Sequence, residues 1–224
     1  YRKTLESTVK VPLNYATYVG HIPLRLAAMG MDAWDRAATP DEIKIMADLL
    51  DDALAAGALG MSDNMHDHDG DNRPVPSMKA DDAELIALFD VLEKYPGTTY
   101  QVIVDTSMRK TGPQSMKRLE TLLKGRSIRV QIAGGIPTLM FQKDILPSMQ
   151  KSLDEMRAAG VDVWPGYAHV SPTSTLSLYK SLIFAQSNDY VWHEVVLAET
   201  NEEKAKLLAD PEWWHAVGNT LRFA

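Results

Sequence analysis

The sequence predicts an α/β fold with a largely parallel sheet. From about Asn14 to Gly166, short apolar runs alternate with longer amphipathic stretches, and each amphipathic stretch is followed at once by another run. The run starts are separated by about 30 to 45 residues, the size of one βα repeat with its loops. The runs predict five strands: Tyr15 to Val19, Ala58 to Ser62, Thr99 to Asp105, Ile128 to Ala133 and Val161 to Pro165. Between the first two lies the clearest helix. Thr39 can cap it, Pro40 suits its first turn, Glu42 completes a capping box, and Gly57 ends it. Ile43, Met46, Leu49, Leu50, Ala53 and Leu54 then mark its buried face. Further helices are expected from about Ala80 to Tyr95, Gln114 to Lys124 and Ile145 to Ala159, each closed by a Gly or Pro-Gly stop or followed directly by a strand.

Five βα units are half to two-thirds of an eight-stranded βα barrel, which takes ~250 residues when complete. Residues 1–170 are therefore expected to form a partial barrel of the (β/α)8 type. Residues 171–224, rich in Ser, Thr, Trp and Tyr before a charged stretch, are expected to form a lid or insertion with short helices. Trp192, Trp213 and Trp214 in this tail are either contact anchors for another subunit or core aromatics, and a homo-oligomer is one expectation. The chain opens on Tyr1 and starts and stops without a change of composition, so a section of a longer protein is expected.

Composition excludes several functions. The 224 residues are 45% apolar and 24% charged, enough for a full core and ordinary for a globular domain. A net charge of −7 with scattered basic residues offers no cationic stripe to a phosphate backbone, so nucleic acid is not an expected partner. Without cysteine there is neither a disulfide framework nor a Cys-based zinc site, and any metal would need His, Asp or Glu. No apolar run approaches the roughly 18 residues of a membrane span and no signal peptide opens the sequence, so no membrane is expected and a cytoplasmic location is the default.

Chemistry in such folds gathers at the C-terminal ends of strands. His21 follows the first strand and is placed for a metal, a substrate or proton transfer, or else bonds a neighbouring loop; Arg25 is within reach of a carboxylate. Ser62 ends the second strand, and after it runs the most polar segment of the chain, from Asp63 to Pro76. His66 and His68 have a His-x-His spacing that suits a shared metal ion in an extended segment. The surrounding Gly and Asn favour a solvated loop instead, with His66 and Arg73 facing substrate. The Asp-x-Asp-Gly-Asp portion also suggests calcium, although Pro76 stands where such a loop's closing acid belongs. Asp105 is a candidate general base or a turn cap, and Trp164 and Tyr167 are candidate pocket walls, with His169 a further polar contact. No nucleophile elbow, phosphate loop or dinucleotide fingerprint occurs.

Several strings resemble a known family. Val19-Gly20-His21 with Leu24-Arg25, the segment Arg36-Ala37-Ala38-Thr39-Pro40-Asp41-Glu42-Ile43, and Ala53-Leu54-Ala55-Ala56-Gly57-Ala58-Leu59-Gly60-Met61-Ser62 are similar to the N-acyl-D-amino-acid deacylases (D-aminoacylases) of amidohydrolase family 3. Ala158-Ala159-Gly160-Val161-Asp162-Val163 is similar to a later helix-to-strand junction of that family. The resemblance covers about residues 1–170 in order and implies a middle section of a metal-dependent hydrolase on a distorted βα barrel. It implies zinc or another divalent metal as cofactor, a small-molecule amide as substrate, and a metal-activated water as the attacking group. It also implies a metal-binding His at the end of each of the two strands that here read Tyr100 to Asp105 and Val130 to Gly134. Neither has one, and Ile103 and Gly134 stand near those places. Two functions are expected from this: an amidohydrolase acting on an N-acyl (D-)amino acid through an atypical metal site, or a catalytically inactive binding or scaffold protein that keeps the barrel.

Overall fold

The computed structural model describes residues 7, 15–67, 69, 73–104, 112–133, 145–166, 194–195, 198 and 200–221. Strands β1 (Tyr18–Gly20), β2 (Gly60–Asn64), β3 (Thr99–Ile103), β4 (Arg129–Ala133) and β5 (Asp162–Pro165) form one parallel sheet in the order of the sequence. Between them lie α1 (His21–Met29), α2 (Pro40–Ala55), α3 (Asp82–Glu93), α4 (Gly112–Leu123) and α5 (Ile145–Ala158). Parallel strands joined by right-handed crossovers that always step the same way must carry all their helices on one face. The core agrees: Met46, Leu50 and Leu54 of α2, Leu85, Leu88, Phe89 and Leu92 of α3, Leu119 and Leu123 of α4 and Leu153 and Met156 of α5 pack with Met61, Tyr100, Val102, Val130, Ile132 and Val163. Those strand residues alternate with Ser62, Gln101, Gln131 and Trp164, which point to the other face and are half-buried or exposed. This is a wall of a βα barrel, helices outside and the second face turned inward.

Local chemistry explains the best-defined helix. Thr39 Oγ1 accepts from the Glu42 N–H while Glu42 Oε2 accepts from the Thr39 N–H at 2.7 Å, and Pro40 opens α2 where its missing N–H costs nothing. Of the apolar positions assigned to its buried face, Leu49 differs: it is exposed, because Met46, Leu50 and Leu54 already fill the stripe against the sheet. Gly60 is required by close approach. Its φ is +152°, and a Cβ there would lie 1.9 Å from the Thr99 carbonyl oxygen on β3.

Several boundaries depart from the sequence reading, and β1 begins at Tyr18 and not at Tyr15. β2 runs to Asn64, two residues past Ser62, so Asp63 belongs to the sheet and not to the loop; its charge hides a strand position that interior partners satisfy. β3 ends at Ile103 and Asp105 lies outside the described residues. A helix follows β1 without a loop, since Pro23 falls in its first turn, where proline is tolerated. Beyond β5 lie the helices α6 (Asn201–Ala209) and α7 (Pro211–Leu221). Trp213 is buried with Val195 and Val217 whereas Trp214 is half exposed; Trp192 lies outside the described residues.

Candidate functional site

The sheet order places two different sites back to back. On the helix side, β1 delivers His21 straight into the interior, where it is 1% exposed. Its Nδ1 is 2.9 Å from Asp63 Oδ1 of β2 and its Nε2 is 2.6 Å from Glu84 Oε1 of α3. Arg25, one turn along α1 and fully buried, donates to the other oxygen of Glu84 and, at 2.8 Å, to the Arg36 carbonyl. Tyr100 of β3 donates to Asp63 Oδ2 at 2.8 Å, its ring edge-on to Phe89 with centroids 4.8 Å apart. Burial opposes charge on His21, but the carboxylates of Asp63 and Glu84 outweigh it and hold the imidazole at about 9. Burial likewise opposes the Asp63 carboxylate, and His21, Tyr100 and the Asn64 N–H more than offset it, so Asp63 stays below the ordinary aspartate value. Burial and the facing Asp63 push the Tyr100 phenol well up. At neutral pH His21 is therefore a cation beside the Asp63 carboxylate, and Tyr100 stays a neutral phenol.

The sequence places His21 and Arg25 at the exit of the first strand, where chemistry gathers in such folds. The structure turns both the other way, because the helix begins at His21 itself and carries the imidazole and the guanidinium beneath the sheet. Neither side chain meets the open face. The partners Asp63, Glu84 and Tyr100 escaped the sequence reading. A signal existed for one of them, since Glu84 sits one turn before Leu88 and two before Leu92 on the apolar stripe of α3, where a charge needs an interior partner.

On the open face, strand register sets Gly20, Ser62, Gln101, Gln131 and Trp164 in one row across five strands. Gln101 Nε2 donates to Gln131 Oε1 at 2.8 Å. Trp164 is 59% exposed, with its indole N–H on Asp162. The next row holds Asn64, Ile103 and Ala133. At the exit of β2 the loop folds back on itself: the Val75 N–H donates to the Asp67 carbonyl at 3.0 Å and the Asp69 N–H to the Arg73 carbonyl at 2.9 Å. Arg73 pairs with Asp69 and lies 4.5 Å above the Trp34 ring. The half-buried His66 donates its backbone N–H to Asn64 Oδ1. His68, Asp105, Gly134, Tyr167 and His169 lie outside the described residues. The sequence reading also missed Gln101 and Gln131, although each interrupts an apolar strand at the same register position.

Over 160 residues the chain is 30% identical to the D-aminoacylase of Alcaligenes xylosoxydans xylosoxydans, a match covering 68% of this chain and 30% of that protein. This chain is D-aminoacylase-like. Its fold is shared with the N-acyl-D-glutamate deacylase of Bordetella bronchiseptica, whose crystal structure holds zinc and a phosphonate inhibitor mimicking the reaction's tetrahedral intermediate; the TM-score is 0.57 and the identity 24%, over 73% of this chain and 32% of that one. The chain thus spans about a third of each relative. No family model matches it. The described residues do not fit a zinc ion. The central row of the open face offers neutral hydroxyl and amide groups, two of them spent on each other, and the Asp162 carboxylate beside it is taken up by Arg129 and the Trp164 indole, whereas zinc takes imidazole, thiolate or carboxylate. His21, Asp63 and Glu84 neutralise one another inside, and no group of three or more His, Asp or Glu among the described residues is arranged to hold a metal. No helix among them is long and apolar enough to cross a membrane.

Proposed function

We propose that this chain is the central part of an amidohydrolase that hydrolyses the amide bond of an N-acyl amino acid, D-configured substrates foremost, and that the open face of its sheet is one wall of the substrate cavity. The similarity to D-aminoacylase carries this reading. The chemistry of the open row supports it. With Gln101 Nε2 donating to Gln131 Oε1, the pair still presents Gln101 Oε1 as acceptor and the Gln131 amide as donor, the complement of a substrate's amide N–H and C=O. Trp164 adds apolar surface for an acyl chain, and Ser62 a hydroxyl beside Gln101. Arg73 and His66 stand on the loop leaving the same sheet, suited to a substrate carboxylate. Asp105 stays in the proposal as a candidate general base, His68 as a candidate metal ligand and Tyr167 as a candidate pocket wall. His21 and Arg25 support the wall from behind and do not touch substrate.

A second reading, a non-catalytic barrel that binds small amides, is favoured by the neutral groups at the centre of the open face. One assay on the full-length protein separates the two. Incubated with a panel of N-acyl-D- and N-acyl-L-amino acids, it is expected to release free amino acid from the D-series, alongside a divalent metal retained through dialysis by ligands other than the described residues. Binding of the same amides with neither turnover nor retained metal contradicts the first reading and leaves the second.

A further inference from the structure

Buried ion clusters are a poor means of gaining stability, because desolvation offsets most of the attraction and apolar replacements of similar volume are often as good or better. Yet Arg25, Glu84, His21 and Asp63 are buried together here with Tyr100. The cluster ends at a definite place. Asp63 Oδ1 accepts from His21 and also, at 2.7 Å, from the backbone N–H of Asn64. Its other oxygen is held by Tyr100, whose ring is fixed against Phe89. From Asn64 outward the hydrogen bonds continue into the loop. The Asn64 carbonyl accepts from Ser77 Oγ at 2.5 Å, its side-chain carbonyl accepts from the His66 N–H at 3.1 Å, and its side-chain amide donates to Asp67 Oδ2 at 3.0 Å. All four hydrogen-bonding groups of Asn64 are engaged, one by the buried cluster and three by the loop.

We infer that the Arg25–Glu84–His21–Asp63 cluster is a positioning device: it locks Asp63 in one rotamer, anchors Asn64, and through Asn64 fixes the segment 64–67 that carries His66 at the mouth of the sheet. The groups that face His21 from every packed element take part: Arg25 from its own helix, Asp63 from β2, Glu84 from α3 and, through Asp63, Tyr100 from β3. An apolar core of the same volume would fill the space but leave the Asn64 N–H without its charged acceptor. The bearing of this device on substrate rests on the proposed function; its effect on the loop does not.

The test uses the full-length protein with Asp63→Asn, which removes the charge opposite His21. Hydrogen exchange at the amides of Asn64 and His66 is expected to speed up by about tenfold or more, with the amides of α2 unchanged. With an N-acyl-D-amino acid as probe, KM is expected to rise about tenfold while kcat changes less than about twofold. Tyr100→Phe keeps the ring on Phe89 and removes one hydrogen bond; it is the milder variant, expected to raise exchange severalfold at the same amides, and it decides alone if Asp63→Asn does not fold. Unchanged exchange at Asn64 and His66, or a rise spread evenly over all elements, overturns the inference. A local exchange response in a protein without turnover contradicts the proposed function and leaves the positioning role intact. Turnover with no local response does the reverse.

Discussion

His21 stays protonated at neutral pH because two carboxylates outweigh its burial, and that fixes how stability responds to pH. Its folded value near 9 lies above the ordinary 6.5, so its contribution is complete below 6.5 and is lost as pH rises through about 9. The loss amounts to about 3 kcal/mol. Asp63, depressed below 3.8, acts in the opposite sense: its contribution is present above that value and is lost as pH falls further. Denaturant midpoints of the full-length protein should therefore hold level near pH 5 to 6 and fall on going to pH 9.5, and a midpoint that stays level across that alkaline range would show that His21 is not charged in the folded state. Glu84→Ala, which leaves Arg25 and His21 buried with one partner fewer, should cost about 3 to 5 kcal/mol in the same unfolding experiment. At this scale the sequence was only half legible. It shows that His21 and Arg25 lie next to a strand exit, but a strand exit has two sides. The choice between them depends on Glu84, which is 63 residues away from His21 along the chain.

Elements were more legible because their causes are local. The capping box at Thr39, the apolar stripe of α3 and the repeated helix-then-strand order all follow from neighbours within a few residues, and all five strands occur where apolar runs predict them. Boundaries failed where a polar side chain occupies a strand position, as Asp63 and Asn64 do in β2. They failed again where a proline sits inside a helix, as Pro23 does in α1. Two substitutions test the local causes. Thr39→Ala should lower stability by about 1 kcal/mol through loss of the cap, read as a shifted unfolding midpoint with unchanged m-value. Gly60→Ala should be far more damaging, at more than about 4 kcal/mol, since its Cβ would overlap the backbone of β3; a folded Gly60→Ala protein with wild-type thermal stability would mean that β2 and β3 are not paired in this register.

For the whole molecule, the decisive feature is a sheet wound in one direction. Sequential parallel order commits every crossover helix to one side and leaves the other side to the hydroxyl and amide groups of Ser62, Gln101 and Gln131 and the indole of Trp164, polar side chains that an ordinary core does not gather. In a βα barrel ligands sit at the C-terminal end of this inner face, where the proposed function puts an N-acyl amino acid. A crystal structure of the full-length protein soaked with a slowly cleaved N-acyl-D-amino acid analogue tests this most directly. The ligand's amide is expected within hydrogen-bonding distance of the Gln101 and Gln131 side chains, with its acyl group against Trp164. A ligand bound on the helix side, or an inner face filled by packed side chains with no room for one, would contradict the account.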